Sequence, residues 1–165
     1  MPQEFNMQEA IKMAIQTEKN VMDFYLRAAD ITDNERAKKV FETLAREERE
    51  HASNFFSIYA GKELGTFDEF MATEPKFDTT VLHNLEKALN KDIHARKAME
   101  FAMQEEEDLA KHLEMTAEKI VDPGVRAVFN KMAVETRNHY AIIESEYAHW
   151  MGMVHETDID TYVRE

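Results

Sequence analysis

Leu44-Ala45-Arg46-Glu47-Glu48-Arg49-Glu50-His51-Ala52 holds a conflict that decides the fold. Glu48 and His51 stand three residues apart, so on an α-helix they share one face, a turn apart. That face is otherwise apolar, with Ala37, Phe41 and Leu44 before the pair and Phe55 and Ile58 after it. An unpaired carboxylate and imidazole inside a core stripe cost several kcal/mol, of order 2–7 for a polar group without a partner. A metal ion is the most economical compensation, provided that other parts of the chain bring further ligands to the same height.

Working outward, three more amphipathic stretches show the same interruption. Before the pair, apolar residues recur at helical spacing from about Gln3 to Asp30, and Glu18 breaks the stripe between Ile15 and Met22. The polar turn Ile31-Thr32-Asp33-Asn34 offers Asp33 or Asn34 as a cap for the second helix, which is expected to reach about Ala60 and stop at Gly61. Residues from about 61 to 91 read as a crossover, with a short helical turn and then a short helix capped by Asp78 or Thr79 and ending near Leu89. A break is expected around Asn90-Lys91-Asp92, followed by a long helix to about Val121 with Glu106 at the centre of its stripe. Asp122-Pro123 then starts a last helix whose inner face carries Val125, Phe129, Met132, Thr136, His139 and Ile143. Its end is expected near Gly152, leaving residues 153–165 as a polar tail.

Sliding the chain against itself by 88 residues aligns roughly fifty positions without a gap. Ala10 meets Ala98, Ala14 meets Ala102, Glu18 meets Glu106, Phe41 meets Phe129, Ala45 meets Ala133 and His51 meets His139. Two helical hairpins of one design, joined by a long crossover, predict an all-α four-helix bundle over residues 1–152 with approximate two-fold symmetry. Glu18, Glu48, His51, Glu106 and His139 all fall at stripe centres in repeat register. Singly, each reads as a buried, hydrogen-bonded core residue; together they read as a metal site. Oxygen-rich ligation with one imidazole per half suits iron or manganese, and zinc as well.

Composition bounds the function. Only four Gly and three Pro in 165 residues, with eleven Met, suit a helical chain. A formal net charge of −13 argues against nucleic acid and anionic membranes as partners. The chain has no cysteine, which excludes disulfides, iron–sulfur clusters and thiolate sites within it. The N-terminus has neither a basic segment nor an apolar run of a secretory signal, so a cytoplasmic location is the expectation.

The residues Ala10-Ile-Lys-Met-Ala-Ile-Gln-Thr-Glu18, then Tyr25, then Phe41 through Glu48 to His51, resemble the rubrerythrin branch of the ferritin-like superfamily over nearly the whole chain. The second half resembles the same template through Ala98 to Glu106 and Phe129 to His139. The resemblance implies a ferritin-like bundle with two iron ions held by Glu18, Glu48, His51, Glu106 and His139. It also implies an oxidoreductase in which Fe(II) meets dioxygen or peroxide, and a homodimer. Tyr25 resembles the tyrosine that the family keeps behind its ligands, and reads equally as a core aromatic with its hydroxyl satisfied. The aromatics Phe67, Phe70, Phe77 and Trp150 exceed what the core needs, which also suits a dimer.

The departures from that template are specific. Thr136 stands where a second Glu-x-x-His would have its Glu, leaving the second ion short of a carboxylate. Glu135 is adjacent, but one residue is about 100° around a helix, so it is expected to point off the site axis unless a π-bulge turns it inward. Leu109 stands where the template has a further Glu, and without cysteine any electron donor is expected to be a separate molecule. The alternative reading is a non-enzymatic bundle whose degraded site holds one structural metal, zinc or another, or which serves as an interaction module. His83, His94, His112, His149 and His155 share no height and read as surface or structural residues.

Overall fold

The computed structural model describes residues 5–89 and 95–158. Among the described residues six helices follow one another: α1 (Met7–Ile31), α2 (Glu35–Phe56), α3 (Phe67–Met71), α4 (Thr80–Leu89), α5 (Ala95–Lys119) and α6 (Pro123–Asp158). There is no strand among the described residues. α1 packs on α2 and α5 packs on α6, so the chain forms the two expected hairpins with α3 and α4 in the crossover.

The helix starts follow the capping chemistry of the sequence. The Asn6 side chain accepts from the Glu9 amide at 3.0 Å and Asn34 accepts from Ala37 at 2.9 Å, each satisfying a donor that the first helical turn leaves free. Asp122 does the same for Val125 at 3.0 Å, with Pro123 in the first helical position of α6. α3 is fixed by a reciprocal box in which Thr66 and Glu69 each bond the other's backbone amide. Gly65, with φ of 77°, turns the chain into it through a backbone conformation open to glycine.

The end of α2 differs from expectation. The helix stops at Phe56, and Gly61 lies outside it. Ser57 closes the last turn: its amide donates to the Ser53 carbonyl at 3.0 Å and its hydroxyl donates to the Asn54 carbonyl at 2.8 Å. At the other end of the chain α6 continues through Gly152 to Asp158. The break expected at Asn90-Lys91-Asp92 falls outside the described residues.

The core is a continuous apolar cluster whose layers close the bundle above and below a polar band. On one side Tyr25 stacks with Phe41 at 6.1 Å between ring centres. On the other Phe55 meets Phe129 edge-on at 4.8 Å, joining α2 to α6. Phe70 is buried in this core and Phe67 packs edge-on against Phe56, so two of the aromatics read as surplus are used within the chain. The halves differ where α4 packs on α1. On α1 Lys19 and Asp23 form a buried ion pair at 2.6 Å. The repeat-equivalent pair on α5, Glu107 and Lys111, has the charges reversed and is part-exposed at 3.3 Å.

Candidate metal centre

The bundle brings all five sequence-predicted ligands to one level. Glu18 comes from α1, Glu48 and His51 from α2, Glu106 from α5 and His139 from α6; the three carboxylates are fully buried and the two imidazoles nearly so. The rings of His51 and His139 lie face to face, 4.9 Å apart and 9° from parallel. Each turns its Nδ1 inward. His51 Nδ1 is 3.5 Å from Glu18 Oε1 and 3.4 Å from Glu48 Oε1, and His139 Nδ1 is 3.5 Å from Glu106 Oε2 and 2.9 Å from the same Glu48 Oε1. Glu48 is thus the one carboxylate of the set that stands between both rings.

These contacts are close without being hydrogen bonds. Both oxygens of Glu18, both of Glu48, Oε1 of Glu106, and Nδ1 of His51 and of His139 are buried with no hydrogen-bond partner. A native core pairs nearly all such atoms, because each one left alone costs about 1–3 kcal/mol and a charged one more. Seven orphaned atoms at one level of the bundle are a donor set suited to cations. Glu48, His51 and His139 alone offer ligand atoms all within 4.8 Å of one another, a group able to hold a metal ion. Carboxylate oxygens with imidazole nitrogens suit iron, manganese or zinc.

Electrostatics express the same strain. Burial pushes the Glu48 carboxyl well above its ordinary value, and the neighbouring charges of Glu18 and Glu106 push it further. Burial works against a charged His139, yet its contacts with Glu106 and Glu48 outweigh this and raise it to about 11. His51 is raised too, burial again opposing and Glu18 prevailing.

Four further residues stand around the centre. The Tyr25 hydroxyl, fully buried, donates to Glu106 Oε2, and burial together with the charges of Glu106 and Glu48 holds its proton well above the usual tyrosine range. Thr136 is buried at the expected level, but its hydroxyl donates to the Met132 carbonyl at 2.8 Å along its own helix. Glu135 stays outside the inner ligand atoms, as its angle on the unbroken α6 implies, but its Oε1 reaches the outer nitrogen of His51, Nε2, at 3.0 Å. Glu47, which lies off the apolar stripe of α2, bonds His139 Nε2 at 2.7 Å. The 88-residue shift places Glu47 on Glu135, but repeat register by itself brings neither side chain to a ring.

A cleft of about 200 Å³ lies beside Glu47, lined by Lys39, Val40, Thr43, Leu44 and Ile142 between α2 and α6. His83, His112 and His149 are exposed, as expected; His94 and the His155 side chain lie outside the described residues. Within the run Glu105 to Asp108, Glu106 alone is fully buried, while half-buried Glu105 is raised to about 7, by burial first and then by Asp108 and Glu106. No helix among the described residues is long and apolar enough to cross a membrane.

Compared with known proteins, residues 9–147 match the family model described as Rubrerythrin. No curated protein and no solved structure matches the chain.

Proposed function

We propose, for a chain that belongs to the rubrerythrin family over residues 9–147, that the buried centre holds two iron ions and serves the oxidation of Fe(II) by dioxygen or peroxide. The observation that carries this reading is the set of buried, partnerless carboxylate and imidazole atoms from α1, α2, α5 and α6. Glu18 and His51 would hold one ion, Glu106 and His139 the other, with Glu48 shared between them. Iron(II) held there would supply the electrons that reduce the oxidant.

The chain's own residues set the conditions. The three carboxylates carry three negative charges against four positive charges of two divalent ions, so the loaded centre is nearly neutral in a dry core. The layers Tyr25–Phe41 and Phe55–Phe129 exclude bulk water from both sides. Tyr25 keeps its proton and holds Glu106 from behind. The cleft between α2 and α6 gives small molecules a way to the outer edge of the centre at Glu47. Reducing equivalents come from a separate donor, because the chain has no cysteine to hold a rubredoxin-type iron. The working form is a homodimer in the cytoplasm.

A second reading has its own observation. Thr136, where a second bridging carboxylate would stand, has its hydroxyl committed to the Met132 carbonyl. This favours a single ion on Glu48, His51 and His139, the group of three that lies closest together. Anaerobic Fe(II) titration separates the two. The diiron reading expects a break at two equivalents per chain and an air-dependent change in visible absorption. A break at one equivalent with no change in air supports the single-ion reading.

A further inference from the structure

We infer that Glu47 and Glu135 are positioning residues that act across the bundle, each holding the outer nitrogen of the opposite hairpin's histidine so that the inner nitrogen faces the ions. This rests on the metal-binding reading above and assigns residues that the ligand pattern leaves out.

An imidazole that ligates through one nitrogen carries its proton on the other, and a fixed acceptor at that second nitrogen sets both the tautomer and the rotation of the ring. Both histidines show this division. Their Nδ1 atoms face the buried carboxylates and have no hydrogen bond, while their Nε2 atoms face Glu47 and Glu135. The pairing is reciprocal. Glu47 on α2 reaches His139 on α6 at 2.7 Å, and Glu135 on α6 reaches His51 on α2 at 3.0 Å.

A solvated helix face would not produce this arrangement. The side chains of Glu47 and Glu135 are 44% and 37% exposed, so each has water within reach, yet each carboxylate lies against a ring that is almost wholly buried. The repeat gives the same result independently. Under the 88-residue shift the Glu48 position becomes Thr136, so the inner carboxylates lose their symmetry, while the outer pair Glu47 and Glu135 keeps it. Each carboxylate stands four residues before the histidine of its own helix but serves the histidine of the other. The α2–α6 contact therefore couples the hairpins through the centre, and a change on one hairpin is felt by the histidine of the other.

The test uses the full chain loaded with zinc, which is diamagnetic, and reads zinc affinity by chelator competition together with histidine ring resonances by ¹⁵N NMR. Glu47→Ala is expected to weaken zinc binding about 10- to 100-fold and to remove the hydrogen-bonded Nε2–H resonance of His139, leaving that of His51 in place. Glu135→Ala does the converse. Glu47→Gln and Glu135→Gln, which retain an acceptor oxygen, restore the resonance and most of the affinity. Alanine variants with wild-type affinity and both resonances intact overturn the inference while leaving the metal-binding reading standing. Equal disturbance of both histidines by each single variant overturns it too, since that marks a general loosening of the bundle. A wild-type chain that takes up no zinc removes the metal-binding reading and this inference with it.

Discussion

Glu48→Gln separates a carboxylate kept for a metal from one kept for the fold. Glu48 is wholly buried, both of its oxygens lack hydrogen bonds, and its Oε1 lies 3.4 Å from His51 Nδ1 and 2.9 Å from His139 Nδ1. In the metal-free protein burial already pushes this carboxyl well up, which lowers the cost of replacing it with neutral glutamine, a side chain of nearly the same size. Near pH 6 the metal-free variant should therefore unfold within about 1 kcal/mol of wild type, inside the range of an ordinary single substitution. Metal binding should change far more. An ion present at about 100 times its Kd stabilises the native state by about 2.7 kcal/mol per site, and for a domain of this size each kcal/mol moves Tm by about 2–4 °C. Wild type should thus gain about 5–11 °C per occupied site. If the variant binds about 100-fold more weakly, the ion sits at its Kd, the stabilisation falls to about 0.4 kcal/mol and the gain to about 1–2 °C. Differential scanning calorimetry with and without zinc reads both quantities. A variant that keeps the full metal-induced gain, or that loses several kcal/mol before any metal is added, refutes the reasoning.

Other consequences follow from the same centre. Glu48, His51 and His139 all have raised values in the folded metal-free chain, so the stability they contribute is fully present below their unfolded values and is lost as pH rises through the folded ones, that of His139 at about 11. The Tm of the metal-free protein should fall between pH 6 and pH 9, while zinc binding releases protons; calorimetric titration in buffers of different ionisation enthalpy measures that release. Thr136→Val should leave metal stoichiometry unchanged, because the hydroxyl it removes bonds the Met132 carbonyl; loss of an ion, read by elemental analysis, would make Thr136 a ligand. Tyr25→Phe takes the donor from buried Glu106 and should cost the metal-free protein about 1–3 kcal/mol in urea unfolding. An unchanged midpoint would mean that Glu106 finds another partner.

The fold was legible because four stripes, a polar interruption in each and an 88-residue repeat all agree, and because Asn34 and Asp122-Pro123 mark starts that the helices use. The end of α2 was not. A glycine at 61 is a good stop signal, but Ser57 can close a helix through its own hydroxyl, and nothing local ranks the two. The five buried ligand candidates were legible for the reason the fold was: charge at the centre of an apolar stripe needs an explanation. Glu47 and Glu135 were not, because position around a helix describes where Cβ points, whereas a glutamate side chain extends well beyond it. Whether it reaches a neighbouring ring depends on the separation of α2 and α6, which pattern alone does not give. Thr136 was legible as a departure, but the destination of its hydroxyl was not.

Metal content tests the central claim most directly. The chain, purified without chelator and then loaded anaerobically with Fe(II), is desalted and its iron counted against protein by elemental analysis. A centre built as described retains two irons per chain in wild type and none in Glu48→Gln. One iron or none in wild type, or two in the variant, would contradict it.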